Sequence, residues 1–404
     1  MTRRVRAPVP MQMLAACALC ALVGACGPDD GEVCAVESGD GVWFDVAAVA
    51  ERECEKLSSY RLFVGELADL TANEGVVPYD LNSPLFSDYA TKQRFLWLPE
   101  GTSMTYHPED TFEMRVGTVI VKSFSYLDDI RVPDGPRQQV ETRIMYRTDE
   151  RWAVTTYVWD ETQTEAYRQI AGARTPVRWL HYDGAERALD YSIPNQNQCK
   201  NCHEEHDDVT APIGPKARHL NRRFDYPDGP QNQLEYLAAA GLLAGLPADL
   251  ATVPRAPVWN DEQTGTLEER ARSWLDINCA HCHNPTGAAR TSGLDLSHGQ
   301  ANPYEYGVCK GPVATGGGSG GHSFNIVPGQ PDESILVYRL ESTELDVRMP
   351  EVGRQQVHEE STALIRAWIE SLPGDCSTVA GEPTPISGRT ATMGVELRAH
   401  PVGP

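Results

Sequence analysis

Two pentapeptides of the same grammar, Cys199-x-x-Cys202-His203 and Cys279-x-x-Cys282-His283, constrain this chain more than any other feature. In an exported protein C-x-x-C-H is the attachment site of a c-type haem, so two copies predict two covalently attached haem c groups. The chemistry uses every position. Two thiols three residues apart on an incipient helix reach the two vinyl groups of one porphyrin, and the adjacent imidazole lies beneath the iron as a ligand. Cys199, Cys202, Cys279 and Cys282 are therefore the candidate cofactor-binding residues, and His203 and His283 the candidate iron ligands. A zinc ribbon places its C-x-x-C pairs about 15–20 residues apart, far closer than Cys202 and Cys279. A thioredoxin-like redox pair has no use for the His that follows both motifs.

The amino terminus agrees with export. Arg3, Arg4 and Arg6 precede an apolar run over residues 11–25, the n-region and h-region of a secretory signal expected at 1–25. That segment ends LVGAC, which looks like a bacterial lipobox and implies that Cys26 is lipidated as the first residue of the mature protein. Gly27 follows, so the inner-membrane retention signal of an Asp after the Cys is absent, and the expected location is the periplasmic side, lipid-anchored to the outer membrane. An ordinary signal peptide cut nearby is the competing reading. Of the eleven cysteines, Cys17 and Cys20 leave with the signal, Cys26 carries lipid and the two motifs take four more. Cys34, Cys54, Cys309 and Cys376 remain, an even number that predicts two disulfides outside the cytosol. Three connectivities are open to four cysteines, and Cys34 with Cys54 and Cys309 with Cys376 are the favoured pairs.

A formal net charge of -22 argues against nucleic acid, whose binding needs a basic surface. It suits a basic redox partner, or simple solubility.

The expected fold class is α+β: an antiparallel β-rich domain carrying the first motif, then an all-α domain like that of a cytochrome c. Residues 26–58 read as an N-terminal segment with a disulfide and a helix over 46–57. Within a β-rich domain at 59–195, residues 117–126, 140–147 and 152–159 are β-branched and aromatic with partial period-two alternation. Packing the first motif against this sheet would give its haem an apolar wall. Residues 196–262 hold the first motif and a linker rich in proline, and 263–376 the second motif. Thr266 and Glu269 stand in capping-box relation ahead of an apolar stripe that leads into Cys279. Helices are expected at 331–340 and 361–372, and the tail at 377–404 has a disordered composition.

The second axial ligand decides the chemistry, because an iron with two strong protein ligands passes electrons whereas an open iron binds small ligands. Met349, followed by a proline, has the position from which a loop can cover the second motif. This region resembles class I cytochrome c domains, in which a Met-Pro on such a loop supplies the thioether. For the first motif the candidates are His206, His219, His181 and His107 and the thioethers of Met104, Met114 and Met145, with His219 and His181 ahead.

The segments PLFSDYA (84–90), VGTVIVK (116–122), ETR (141–143), PIGPKAR (212–218), NCAHCH (278–283) and RMPEVGR (348–354) together resemble a bacterial family of exported dihaem c-type cytochromes. The β-rich half is also similar to modules fused to quinoprotein sugar dehydrogenase propellers. That kinship implies a relay taking electrons from a redox protein partner, a dehydrogenase or another cytochrome. Three functions follow: an electron-transfer protein with no catalytic residue, a peroxidase-like reductase whose first haem is the reaction centre, and a binding module whose haems are structural.

Overall fold

The computed structural model describes Cys34 and residues 39–205, 209–313 and 315–377. The expected signal segment at 1–25, the lipidation candidate Cys26, the candidate ligand His206 and the tail from residue 378 lie outside the described residues.

Six strands, β1 (Val76–Tyr79), β2 (Thr91–Trp97), β3 (Val119–Leu127), β4 (Arg137–Arg147), β5 (Trp152–Trp159) and β6 (Ala166–Arg168), pair in that order as an antiparallel sheet. Alternation along β3 and β4 sends Val119, Val121, Ile144 and Tyr146 to one face, where they pack with Phe95, Tyr60 and the Cys34–Cys54 disulfide. Leu96, Ile120 and Met145 go to the other face and pack with Leu220, Leu234 and Leu237. A hairpin, β7 (Ala173–Leu180) and β8 (Glu186–Ile193), lays Trp179 and Tyr191 on Tyr126. With both faces covered, the strands carry more apolar residues than a one-sided sheet would, which is why their period-two signal is only partial.

Among the described residues there are seven α-helices: α1 (Val46–Glu51), α2 (Lys200–His203), α3 (Ala217–Leu220), α4 (Gln233–Ala239), α5 (Leu267–Leu275), α6 (Ile335–Glu341) and α7 (Glu359–Ser371). The longest has 13 residues. The expected all-α, cytochrome c-like domain at 263–376 is therefore corrected: the molecule is β-rich, and its carboxy-terminal part is three helices around a long irregular segment. The physical reason lies between His283 and Ser334, where glycines, prolines and short polar turns leave no run long enough to propagate a helix. Parallel bridges at Val308 with Ile326 and Phe324 with Ser334 order that segment instead. Trp274, Leu340, Ile365 and Trp368 form its core, and a disulfide joins Cys309 to Cys376.

Thr266 caps α5 as expected, its side chain accepting from Glu269 N while Glu269 returns a bond to Thr266 N. The helix at 331–340 splits into a 3-10 turn, Pro331–Glu333, and α6.

Candidate functional site

The first motif sits on a short helical run. Asn195 and Gln198 cap a 3-10 turn, Gln196–Cys199, which continues into α2 and ends at His203. His203 Nδ1 lies 2.9 Å from the carbonyl oxygen of Ala211. A carbonyl only accepts, so Nδ1 donates and Nε2 keeps its lone pair. Burial lowers the His203 pKa to about 4. The ring is neutral at physiological pH, as a metal ligand must be.

The second motif is built differently and reaches the same state. Helix α5 runs into a π-helical turn, Asp276–Ala280, that carries Cys279, and the Cys282 and His283 amides bond its carbonyl at 3.1 and 2.9 Å. His283 Nδ1 lies 2.9 Å from Ser292 Oγ, and that hydroxyl donates to Ala289 O at 2.7 Å. The hydroxyl proton is thus committed, so Nδ1 again donates and Nε2 is left with its lone pair. Burial lowers His283 to about 4 as well.

The leading thiols of the two motifs do not resemble activated redox thiols, although a hydrogen bond from Cys282 and the nearby His281 hold Cys202 well below the usual thiol range. Burial raises the pKa of Cys199, and that of Cys279 to about 12, whereas a reactive C-x-x-C needs its leading thiol depressed.

Met349 and His283 line one cavity of about 510 Å³, within the range of about 300–1,000 Å³ typical of ligand pockets. The Met349 amide donates to Arg339 O at 3.1 Å, and Arg354 donates to the carbonyls of Leu340 and Ser342 at 2.7 and 2.6 Å. These bonds pin both ends of the Met349 loop to α6.

A strap from β1 to β2 holds both halves of this site. Phe86 N donates to Asn278 Oδ1 at 2.7 Å, next to Cys279, and the Asp88 carboxylate accepts from Gln355 N and Gln356 N at 2.6 and 2.7 Å, just beyond the Met349 loop. Asp88 and Tyr89 take φ of 50° and 65°, a left-handed conformation that costs an L-residue roughly 1–2 kcal/mol. The strap keeps it because Asp88, Tyr89 and Phe86 all have partners across the gap, Phe86 stacking on His358 at 4.1 Å.

The two motifs touch. The Cys282 thiol donates to Asn201 O at 3.1 Å, and the ligating atoms of Cys202, His281 and Cys282 lie within 4.8 Å of one another. Three donors are one short of the four that close a structural zinc site.

Of the candidates for the second ligand at the first motif, the structure brings His219 and Met145 to the cavity that His203 lines. His219 Nε2 bonds Asp276 Oδ2 at 3.0 Å, and its Nδ1 is buried without a partner. Burial pushes the Asp276 carboxyl upward, but hydrogen bonds from His219 and Arg218 outweigh it and hold the group well below the usual carboxylate range. Arg218 is therefore the cation of this trio, with Nε and Nη2 at 2.8 and 3.0 Å from the carboxylate, and His219 is neutral. His181 is engaged elsewhere, accepting from Trp179 Nε1 at 3.3 Å and facing Glu360 at 3.5 Å. His107 caps an exposed turn through Asp110 N, Met104 is fully buried in the sheet core, and Met114 packs beside it.

This first cavity is small, about 120 Å³, and its wall is mostly apolar but interrupted by three basic side chains of the sheet. Ile120, Met145 and Val154 share it with Arg94, Lys122 and Arg143. Arg94 and the Asp276 trio went unnoticed in the sequence because they are assembled by strand register and by the meeting of α3 with the π-helical turn.

No family model, curated protein or solved structure matches this chain, so its function is argued from these residues alone.

Proposed function

We propose that this chain is an exported dihaem c-type electron-transfer protein, working between a periplasmic redox protein and a respiratory acceptor and anchored to the membrane through lipidated Cys26. The observation that carries this reading is that both C-x-x-C-H imidazoles are neutral, are fixed through Nδ1 with the Nε2 lone pair kept, and line a cavity. The backbone carbonyl and the Ser292 hydroxyl are the outer-shell partners that metal-bound histidines use to set their tautomer.

Bound at such sites, c-type haem supplies reversible one-electron iron chemistry. Cys199 and Cys202 hold the first group and Cys279 and Cys282 the second. Met349 is the thioether available to the second iron, and the buried Nδ1 of His219 the nitrogen available to the first. The bonds that pin the Met349 loop to α6 would hold the thioether in place toward such a group.

A redox titration followed spectroscopically, with Met349→Ala beside the unaltered protein, tests this assignment. The expected result is loss of the thioether-ligation signature and a lower midpoint potential at one site, the other being unchanged, since a Met ligand raises the potential. An unchanged spectrum contradicts it.

A second reading is favoured by the His219–Asp276 pair, which has the form of an oriented general base. In that reading the first iron is open and the protein is a peroxidase-like reductase. A reduced first site that binds carbon monoxide in the unaltered protein supports the enzyme; one that ignores it supports the relay.

A further inference from the structure

Lys122 on β3 stands directly across from Arg94 on β2 and from Arg143 on β4 in the register of the central strands. Strand alternation sends all three side chains to one face, and all three line the small cavity that His203 shares. Like charges directly opposite one another on neighbouring strands are destabilising, and taking them out of water adds to the cost. Two of the three have a carboxylate. Arg94 Nη1 reaches Asp80 at 2.8 Å, and Arg143 makes two bonds to Glu141 at 2.6 and 2.8 Å.

The third has none. Among the described residues Lys122 has no salt bridge and no hydrogen-bond acceptor, the Glu141 carboxylate acting on it only from a distance; its Nζ sits over the Phe124 ring, 4.9 Å from the centroid. Beside it, Arg94 Nη2 is buried and unpartnered on a side chain only 4% exposed. A lysine amine without an acceptor, whose pKa burial and the neighbouring Arg94 push well below the usual lysine value, and one orphan donor thus line one small cavity on the sheet, and the electron-transfer reading leaves both without a role.

We propose that Lys122 and Arg94 Nη2 bind an anionic oxygen group beside the first haem motif. The inference rests on the dihaem reading above and assigns these residues to its first site. The cavity of about 120 Å³ equals roughly four water volumes of about 30 Å³, enough for a carboxylate or a small oxyanion and for little more. That chemistry has two sources: the propionate carboxylates of the porphyrin attached at Cys199 and Cys202, or a dissolved oxyanion.

The test uses the holoprotein, with haem content measured first by pyridine haemochrome. Lys122→Gln, Lys122→Met and Lys122→Arg are then compared in a redox titration, and each protein is titrated with nitrite while the Soret band is followed. The inference predicts a lower midpoint potential at the first site in the Gln and Met variants, restored in the Arg variant, with the second site unmoved. The direction follows because the bound anion holds Lys122 protonated against the depression that burial imposes, and removing that positive charge beside the iron favours the ferric state. Nitrite without effect on any of the proteins assigns the site to the propionates. A saturable nitrite-induced shift at the first site, weakened about tenfold or more in Lys122→Gln, assigns it to a dissolved anion. Two haems per chain with unmoved potentials and no nitrite response overturn the inference and leave the dihaem reading standing. Fewer than two haems in the unaltered protein overturns that reading, and this site with it.

Discussion

The thiol of Cys282 donates to the carbonyl oxygen of Asn201 at 3.1 Å, across 81 positions of sequence. Asn201 immediately precedes Cys202, so the second cysteines of the two motifs are neighbours in space, and on the proposed reading the haems attached to them would be neighbours too. Circular dichroism of the oxidised protein should therefore show a split, two-signed Soret band. In the variant Cys279→Ala with Cys282→Ala, which removes one attachment, the band should become single-signed. An unsplit band in the unaltered protein contradicts the contact between the motifs.

His219 is the residue on which the character of the first site turns. Replacing it with glycine removes the unpartnered Nδ1 from the cavity. The expected outcome is a high-spin first site that binds carbon monoxide, reversed by added imidazole. Electron paramagnetic resonance reads this without an activity assay, and an unaltered low-spin signal in His219→Gly would remove the residue from the assignment.

Asp276 ties that residue to the second motif. Its carboxylate accepts from Arg218, His219 and His298 N, and it lies on the turn that carries Cys279. Asp276→Asn leaves the buried Arg218 guanidinium without its counter-ion, a change that costs about 3–5 kcal/mol. Denaturant unfolding should show a loss of that order, and a loss below about 1 kcal/mol would mean that water or another acceptor reaches Arg218.

Much of this arrangement is legible in the residues. The capping box at Thr266 and Glu269, the β-branched runs of β3 to β5, and the pairing of Cys34 with Cys54 and Cys309 with Cys376 follow from local pattern or from chemistry that admits few solutions, and Met349 and His283 do line one cavity. What stays hidden is non-local. The row of Arg94, Lys122 and Arg143 exists only once register aligns three strands, and each of the three on its own reads as an ordinary surface charge. His181 has a buried imidazole's composition and neighbours, yet the hairpin turns it toward Glu360. The all-α expectation over 263–376 weighed the amphipathic windows of α5 and α7 and overlooked how little of the intervening chain can be helical.

Lys92 gives the molecule a measurable pH dependence. Burial, with Arg94 adding to it, lowers its pKa from 10.5 to about 7, against the smaller opposing pull of Asp88 and Asp80. The unfolded chain therefore binds more protons than the folded one between those values, and stability rises with pH across that window. The contribution is fully present above pH 10.5 and is lost as pH falls toward 7, each unit of depression being worth about 1.4 kcal/mol. Lys92→Met should flatten the curve of unfolding free energy between pH 7 and 10 and raise stability at pH 7. A curve with the same slope in both proteins would place the titration elsewhere.

The central claim, that Cys199, Cys202, Cys279 and Cys282 are attachment residues rather than metal ligands or redox thiols, is tested most directly by the intact mass of the exported protein after unfolding. Two haem masses retained covalently on the chain, falling to one in Cys199→Ser with Cys202→Ser, is the predicted result. A mass equal to the polypeptide alone, with four titratable thiols or a metal ion released on unfolding, would contradict it.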